Sequence, residues 1–287
     1  MAIDLHIHST ASDGTVPPEE LPALGAAAGL YALALTDHDT ISGVPAFLAR
    51  QKDFPEMELI AGVEISSHYA MREIHLVGLF PDIHHPALLA FLDAMRAERR
   101  LRAAGMREKL AALGYALDDD ELRAAGAHDA PGRPHFARAL VRRGAFASVP
   151  EVFSRLLQKG APGYVPRHLP DPAACLSAIK SAGGVAVWAH PIRNRAGEEG
   201  FARRVLNALV PLGLDAVEAY YTDFTLRQTE CLKKLAAEFH LALSGGSDFH
   251  GANHPAVAIG AGSGTLAVPD EVLAGLRAAL RPKVVLG

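Results

Sequence analysis

The sequence predicts an α/β fold, a barrel of strands joined by helices, and three observations support it. Short apolar or β-branched runs alternate with longer segments of helical periodicity along most of the chain. This alternation is typical of strands connected by crossover helices in a parallel sheet. We count about seven or eight such units, which suits a β/α barrel. The 287 residues, 49% of them hydrophobic and 21% charged, can bury one large core, or a core and a small lobe.

The expected elements follow one another in a regular order. Strands are predicted at residues 3–6, 32–36, 59–65, 74–79, 185–188, 216–219 and 241–244, and a final strand at 283–286. Helices are predicted after Pro17-Pro18 and at 44–50, 172–182, 201–212, 226–240 and 270–280. Proline suits the first turn of a helix, which supports the start of the first one.

Residues 100–167 interrupt this alternation, because they contain no convincing strand. Helices are predicted there at 101–113, 119–125, 134–143 and 149–157, joined by Gly/Pro turns. We therefore expect a barrel formed by residues 1–99 and 168–287, and an inserted helical lobe of residues 100–167 that caps the substrate site. The first helix of this lobe is rich in Arg and Lys, a pattern of a solvated helix face or of a surface that attracts anions.

Composition and charge exclude several classes of protein. The balance of 28 basic and 32 acidic residues gives a net charge of −4, which argues against coating nucleic acid by charge alone. Cys175 and Cys231 form neither a CxxC site nor a disulfide framework, which fits a reducing compartment. No basic and apolar leader opens the sequence, and no apolar run approaches the roughly 18 residues of a membrane span. A cytoplasmic protein without membrane attachment is expected.

The unusual count is 14 histidines, several of which lie at predicted strand ends. His6 and His8 are two positions apart, so in a strand they point to the same side and can bind one ion. Other candidate ligands are Asp13, His38, Glu64, His75, His190, Asp248 and His250. Barrel active sites lie at the carboxyl ends of the strands. Any single one of these histidines could be structural, but the whole set predicts a metal centre.

Five motifs occur in an order that identifies the sequence as similar to a known family. They are Asp4-Leu5-His6-Ile7-His8, TDHD at 36–39, GVEIS at 62–66, AHP at 189–191 and SDFH at 247–250. With them the sequence resembles the PHP (polymerase and histidinol phosphatase) family. The resemblance covers the chain except the helical lobe. It implies a distorted (β/α)7 barrel of the PHP type that binds two or three divalent metal ions.

The resemblance also implies how the ligands are shared. One ion would take His6, His8, Glu64 and Asp248, a second would share Glu64 and add His75 and His190, and a third would take Asp13, His38 and His250. A carboxylate can bridge two ions, which makes Glu64 the expected bridge. Many family members have His at the position of Asp13, and the added oxygen favours Mn²⁺, with Zn²⁺ or Fe²⁺ as alternatives.

Such a centre suits hydrolysis of phosphate esters. A hydroxide that bridges two ions about 3.5–4 Å apart could attack phosphorus. Glu64, Asp248 and His250 are the catalytic candidates, and either of the last two could pass a proton to the leaving oxygen. The carboxylates of Asp4, Asp37, Asp39 and Glu218 could orient ligands or could serve the fold alone; both alternatives stay open.

The lobe carries the signal for the substrate. Arg133 and His135 follow a Gly/Pro turn, and a similar RPH segment occurs in PHP phosphoesterases that act on nucleotides. The resemblance implies a phosphatase that removes the 3′-phosphate of nucleoside 3′,5′-bisphosphates, or a 5′-to-3′ exonuclease on short RNA ends. Further candidate contacts, each of which could equally be structural, are Lys159, Tyr164, Arg193, Arg195 and, for stacking on a base, Tyr220 and Tyr221.

Other functions remain alternatives. A histidinol phosphate phosphatase would use the same barrel, but the basic lobe favours a larger anionic substrate. A polymerase-associated proofreading module, an amidohydrolase and a non-catalytic metal-binding regulatory module are less expected. The predicted partner is a small phosphorylated nucleotide or a short RNA end, and no obligate protein partner is inferred.

Overall fold

The computed structural model describes residues 2–126, 131–192 and 199–280. The strands are β1 (Ala2–Ile7), β2 (Leu30–Leu35), β3 (Glu58–Tyr69), β4 (Arg72–Leu79), β5 (Val185–Ala189), β6 (Ala216–Tyr221), β7 (Ala242–Gly246) and β8 (Val268–Pro269). The helices are α1 (Leu21–Ala27), α2 (Val44–Leu48), α3 (Pro86–Ala112), α4 (Asp119–Ala124), α5 (Arg133–Arg142), α6 (Val149–Val152), α7 (Pro172–Ser181), α8 (Glu199–Leu209), α9 (Leu226–Glu238) and α10 (Glu271–Leu280).

The strands form one sheet in the order β7-β6-β5-β4-β3-β2-β1-β8. Neighbours from β1 to β3 and from β5 to β7 are parallel, whereas β4 is antiparallel to both β3 and β5. The expectation of a parallel sheet was therefore wrong at β4. Only Ala70 and Met71 separate β3 from β4, both with positive φ, and so short a connection produces a hairpin rather than a crossover.

The sheet curls into a barrel that closes between β1 and the segment after β7. The amide of Asp248 donates to the carbonyl of His6 at 2.8 Å, and the amide of His8 donates to the carbonyl of Phe249 at 2.9 Å. Gly246 permits this close approach, since a Cβ at that position would lie 2.4 Å from Cβ of His6. The buried Asp4 carboxylate adds two contacts at 2.8 Å, accepting from the amides of Ser247 and Gly260.

The barrel core explains why the strands form where they do. Strand β5 is buried at every position, as expected for a strand covered on both faces. The core cluster includes Ile3, Leu5, Ala32, Ile60, Val77, Leu79, Val185, Val187, Ala216, Val268, Val272 and Leu276. Side-chain caps fix two of the surrounding helices: Asp171 accepts from the amide of Ala174 and Thr225 from the amide of Gln228.

The seven predicted barrel strands are all present, with ends that differ by a few residues. Strand β8 was not predicted, because its two residues are too short to show a pattern. The predicted helix at 101–113 is the second half of the longer α3. The strand predicted at 283–286 lies outside the described residues. Within the described ranges, no helix is both long and apolar enough to cross a membrane.

The chain divides into two compact units, residues 1–91 with 170–287, and residues 92–169. The second unit has its own core, formed by Met106, Leu110, Leu122, Phe136, Leu140, Val152 and Leu157. A capping box at Asp118 and Glu121 begins α4, and one turn of π-helix at Phe153–Leu157 continues α6.

Cys175 should be unreactive in the folded protein. Cys175 is fully buried in α7, and burial raises the pKa of its thiol to about 12. Because the thiolate is the reactive form, Cys175 stays protonated and inert at a pH of about 8. We expect a Cys231→Ser variant to remain unlabelled by a disulfide reagent in the native state and to react fully after unfolding. Rapid native labelling of that variant would contradict the packing around α7.

Candidate metal centre

The closed barrel brings imidazoles and carboxylates from most of its strands to one place in the first unit. β1 positions His6 and His8, the loop after β2 positions His38, and the paired strands β3 and β4 position Glu64 and His75. His190 follows β5, and Asp248 and His250 follow β7. We call this set the Glu64 cluster; it comprises His6, His8, Asp13, His38, Glu64, His75, His190, Asp248 and His250.

The most buried part of the Glu64 cluster contains His6, His8, Glu64 and Asp248. Each offers one donor atom, and the four atoms lie within 4.8 Å of one another. His6 Nε2 and His8 Nε2 both lie 3.3 Å from Glu64 Oε2, and His8 Nε2 is 3.2 Å from Asp248 Oδ1. These four residues are the ones predicted for the first ion.

The chemistry of these donors fits a metal ion. His6 Nε2, both ring nitrogens of His8, and Glu64 Oε2 are buried and have no well-aligned hydrogen-bond partner in the described parts of the chain. Buried polar atoms without a partner are costly, because they lose water and gain nothing in return. A cation placed among His6 Nε2, His8 Nε2 and Glu64 Oε2 would satisfy these three atoms at once, and His8 Nδ1 faces Asp13 instead, so the residues present fit divalent metal ions.

Glu64 faces two further groups of donors. Its Oε1 lies 2.8 Å from His75 Nδ1 and 3.0 Å from His190 Nε2, while its Oε2 lies 2.9 Å from His38 Nδ1. The two oxygens of one carboxylate therefore point to different imidazole sets. This arrangement suits a carboxylate that bridges two ions.

The third group surrounds Asp13. His250 Nε2 lies 3.3 Å from Asp13 Oδ1, and His38 Nε2 lies 4.0 Å from Asp13 Oδ2. His8 joins this group through its other nitrogen, since His8 Nδ1 is 3.8 Å from Asp13 Oδ1 and its ring stacks on His250 at 4.1 Å. The sequence placed His8 with the first ion only, whereas the structure gives it a nitrogen toward each of two groups.

Electrostatics in the Glu64 cluster favour positive charge. Burial opposes ionisation of Glu64, but the surrounding histidines, His38 first, outweigh it and hold the pKa of this carboxyl well below its usual range. Burial alone would lower the pKa of His8, but the nearby carboxylates of Asp248 and Glu64 raise it to about 10. The same balance, led by Glu64, raises the pKa of His75 to about 10. In the absence of a metal ion, protons on these histidines supply the positive charge, and a bound cation can take their place.

Metal binding should therefore release protons. A pH of about 7.5 lies below the pKa of about 10 of His8 and His75, so both are protonated. Each must lose a proton to bind a metal ion. We expect Mn²⁺ binding to strengthen as the pH rises from about 6 to about 9. Calorimetry in buffers of different ionisation enthalpy measures the released protons directly. Equal heats in every buffer would show that no proton leaves.

The four carboxylates whose role the sequence left open take different roles. Glu218 contacts a predicted ligand directly, because its Oε1 accepts from His6 Nδ1 at 2.9 Å. Asp4, as described above, joins β1 to the segments after β7. Asp37 accepts from the amide and hydroxyl of Ser9, at 2.8 and 2.6 Å, and Asp39 accepts from the amide of Ser66 at 2.9 Å. Asp4, Asp37 and Asp39 thus fix the backbone that carries the Glu64 cluster.

The predicted substrate contacts are more dispersed. Arg133 and His135 belong to the second unit, where the Arg133 guanidinium lies 5.6 Å from the ring of Phe153 and 6.0 Å from that of Tyr164. His135 is buried, and its Nδ1 accepts from the amide of Gly132 at 3.0 Å. Arg193 and Arg195 lie outside the described residues. These substrate roles stay predictions.

The two tyrosines at the end of β6 differ from each other. Tyr220 is half-buried and packs against the barrel core. Tyr221 is buried, and its hydroxyl donates to Asp248 Oδ2 at 2.7 Å, so its ring is not exposed for stacking on a base. The sequence considered Tyr221 only for base stacking. Its position just past a predicted strand end indicated that it lies near the site, but nothing in the sequence indicated its contact with Asp248.

Comparisons with known proteins agree with this architecture. A family model described as PHP domain matches residues 4–110. A 5′-3′ exoribonuclease of Haemophilus influenzae is 38% identical over 248 residues, which cover 86% of this chain and 89% of that protein. A 3′,5′-nucleoside bisphosphate phosphatase of Chromobacterium violaceum is 36% identical over 251 residues, covering 86% and 87%.

The fold is likewise shared with solved structures. One from Chromobacterium violaceum, described as an amidohydrolase with bound sulfate and no metal, has a TM-score of 0.83 and 31% identity, and the match covers 97% of both chains. The distorted barrel predicted from the sequence is thereby confirmed. The ordered motifs, the family match and relatives of 36–38% identity over most of their length show that this chain belongs to the PHP family.

Proposed function

We propose that this protein hydrolyses the 3′-phosphate of nucleoside 3′,5′-bisphosphates and releases a 5′-mononucleotide and phosphate. The family and the hydrolase names of its relatives make it a metal-dependent phosphoesterase, and the specific substrate is our proposal. The observation that carries it is the Glu64 cluster, in which one buried carboxylate contacts imidazoles on both of its oxygens.

The ions are proposed to be shared among the ligands as the family resemblance implies. His6, His8, Glu64 and Asp248 would hold the first, Glu64 with His75 and His190 the second, and Asp13, His38 and His250 the third. Imidazole and carboxylate donors without thiolate suit Mn²⁺, Fe²⁺ or Zn²⁺, and the oxygens of Asp13 favour Mn²⁺. When bound, such ions acidify water and withdraw charge from phosphoryl oxygens.

The remaining steps belong to side chains of the Glu64 cluster. Glu64 holds the imidazoles of His38, His75 and His190 close to one another. His250 Nδ1 contacts the carbonyl of Asp248 at 2.7 Å, which orients the ring and leaves Nε2 facing Asp13. We assign the delivery of a proton to the leaving 3′-oxygen to His250, or to Asp248 beside it, as an alternative to metal binding by that side chain, because a ligand atom bound to an ion has no proton to give.

The names of two relatives point to a common bond. A 3′,5′-bisphosphate phosphatase breaks the bond between phosphorus and O3′ of a nucleotide that carries a 5′-phosphate. An exonuclease that releases 5′-mononucleotides from a 5′-phosphorylated RNA breaks the same bond. The bisphosphate is thus the smallest member of one substrate series, and the 5′-phosphate is the feature that all members share.

Recognition of the 5′-phosphate is assigned to Arg133 and His135. The rings of Phe153 and Tyr164 lie near the Arg133 guanidinium, and a planar guanidinium can pair with a phosphate through two hydrogen bonds. Tyr220 is kept as the candidate for stacking on the base, and Arg193 as a further phosphate contact.

The test compares substrates that differ in one group. We expect the Mn²⁺-loaded protein to release phosphate and AMP from adenosine 3′,5′-bisphosphate, and to act on adenosine 3′-phosphate with a KM at least about tenfold higher, since a charge-assisted phosphate contact is missing. Arg133→Ala should raise the KM for the bisphosphate and leave that for adenosine 3′-phosphate unchanged. Equal KM values for the two substrates in the unmodified protein would contradict recognition of the 5′-phosphate.

An exoribonuclease is the second candidate, favoured by the 38% identity to the Haemophilus influenzae protein. A short 5′-phosphorylated RNA in the same assay separates the two. If the RNA is shortened to mononucleotides while the bisphosphate is untouched, the exonuclease replaces our proposal. Hydrolysis of histidinol phosphate or of an amide alone would also replace it. Metal binding with no hydrolysis of any of these would favour a regulatory module.

A further inference from the structure

Strand β6 supplies none of the predicted ligands, yet two of its side chains contact the Glu64 cluster. Glu218 and Tyr221 are both almost fully buried and both hydrogen-bond to predicted ligands. In a regular strand, residues three positions apart point to opposite faces of the sheet. Their common orientation therefore needs an irregularity between them.

A β-bulge provides that irregularity. In the pairing with β7, Glu218 lies opposite Ser244 and Tyr220 lies opposite Gly245, so β6 advances two residues while β7 advances one. Gly245 makes room for the bulge, because a Cβ there would lie 2.6 Å from Cβ of Tyr220. Bulges redirect side chains next to active sites, and here the extra residue turns Tyr221 toward the same side as Glu218.

Glu218 connects two of the predicted ligands. Its Oε1 accepts from His6 Nδ1 at 2.9 Å, which places the proton on Nδ1 and directs Nε2 toward Glu64. Its Oε2 accepts from the backbone amide of His190 at 2.6 Å. His190 has a φ of 30°, a backbone conformation that an L residue rarely adopts, and this hydrogen bond helps to hold it there.

Tyr221 fixes a third ligand. Its hydroxyl donates to Asp248 Oδ2 at 2.7 Å, and this leaves Oδ1 of the same carboxylate toward His8 Nε2 at 3.2 Å. Asp248 also has a positive φ, of 57°. The ring of Tyr221 lies 5.5 Å from that of His190. One residue thus contacts ligands that come from the ends of two different strands.

We propose that Glu218 and Tyr221, brought together by the β6 bulge, are positioning residues of the metal centre. They hold His6 and Asp248 in the orientation that the first ion needs, and His190 in the orientation that the second ion needs, without touching either ion. This inference rests on the metal centre in the proposed function. Groups behind metal ligands typically change metal affinity by about 10- to 100-fold when removed.

The test measures Mn²⁺ binding rather than activity. Free Mn²⁺ is followed by its paramagnetic resonance signal as it is titrated into the purified full chain and into Tyr221→Phe. Tyr31→Phe is the matched control, since it removes an equivalent hydroxyl from an exposed side chain on β2 of the same barrel. We expect Tyr221→Phe to weaken the tightest Mn²⁺ site at least about tenfold, and Tyr31→Phe to match the unmodified protein.

Thermal unfolding of the metal-free proteins separates positioning from folding. We expect all three proteins to unfold within about 5 °C of one another, because the Tyr221→Phe change keeps the ring and its packing and removes one hydrogen bond. Tight Mn²⁺ binding by Tyr221→Phe would overturn the inference, as would a loss of affinity that comes with an equal loss of stability before metal is added. Failure of the unmodified protein to bind Mn²⁺ would overturn the metal centre itself.

Discussion

Replacing Glu64 with Gln is expected to lower metal-dependent phosphate release by at least about 10³-fold. Removing one preorganised electrostatic group from a reaction centre commonly costs a factor of this size, and Glu64 serves more than one ion in the proposed centre. The amide keeps the shape of the side chain but carries no charge. Steady-state phosphate release with saturating Mn²⁺ and adenosine 3′,5′-bisphosphate measures the effect.

Glu58→Gln is the matched control for this variant. Glu58 begins the same strand and forms an exposed ion pair with Arg277 away from the Glu64 cluster. Exposed ion pairs contribute little to stability, so this variant should keep its activity within about twofold. Retention of more than about a tenth of the activity in Glu64→Gln would contradict the bridging role of Glu64.

Chelation is expected to remove activity completely and to destabilise the fold. Bound ions supply the positive charge that protons on buried histidines otherwise provide. A ligand at about 100 times its Kd stabilises the native state by about 2.7 kcal/mol. For a chain of this size, the metal-bound protein should therefore melt roughly 5–10 °C above the chelated protein. Differential scanning calorimetry before and after chelation, and again after Mn²⁺ is restored, measures it.

The same experiment on Glu64→Gln provides the control. Its melting temperature should rise much less with Mn²⁺, since a bridging carboxylate is missing from the centre. An unmodified protein with the same activity and melting temperature in chelator as in Mn²⁺ would show that metal ions do not serve this fold.

Local sequence signals were enough for most of the barrel and for the Glu64 cluster. The strands are apolar runs, and the cluster residues other than Asp13 lie in them or shortly after their ends, where position alone predicts a shared location. The direction of β4 was wrong, because its reversal depends on the two-residue connection at Ala70 and Met71. The predicted strands, at 59–65 and 74–79, stopped short of that connection, so the tight turn between them was not visible.

The contacts of β6 could not be predicted for a different reason. The inward direction of Tyr221 depends on which residue of β7 lies opposite each residue of β6, and a single sequence does not contain that register. The same limit applies to His8, whose Nδ1 lies 3.8 Å from Asp13 Oδ1 while its ring stacks on that of His250. Strand ends and alternation are local properties, whereas bulges and ring orientations arise from pairing across the barrel.

Anomalous diffraction at the manganese edge, from crystals grown with Mn²⁺, tests the metal centre most directly. We predict peaks within the Glu64 cluster, the strongest among His6, His8, Glu64 and Asp248, and others beside His75 with His190 and beside Asp13 with His250. Peaks only outside the Glu64 cluster, or no peaks at all, at saturating Mn²⁺ would contradict the metal centre and the hydrolysis proposed for it.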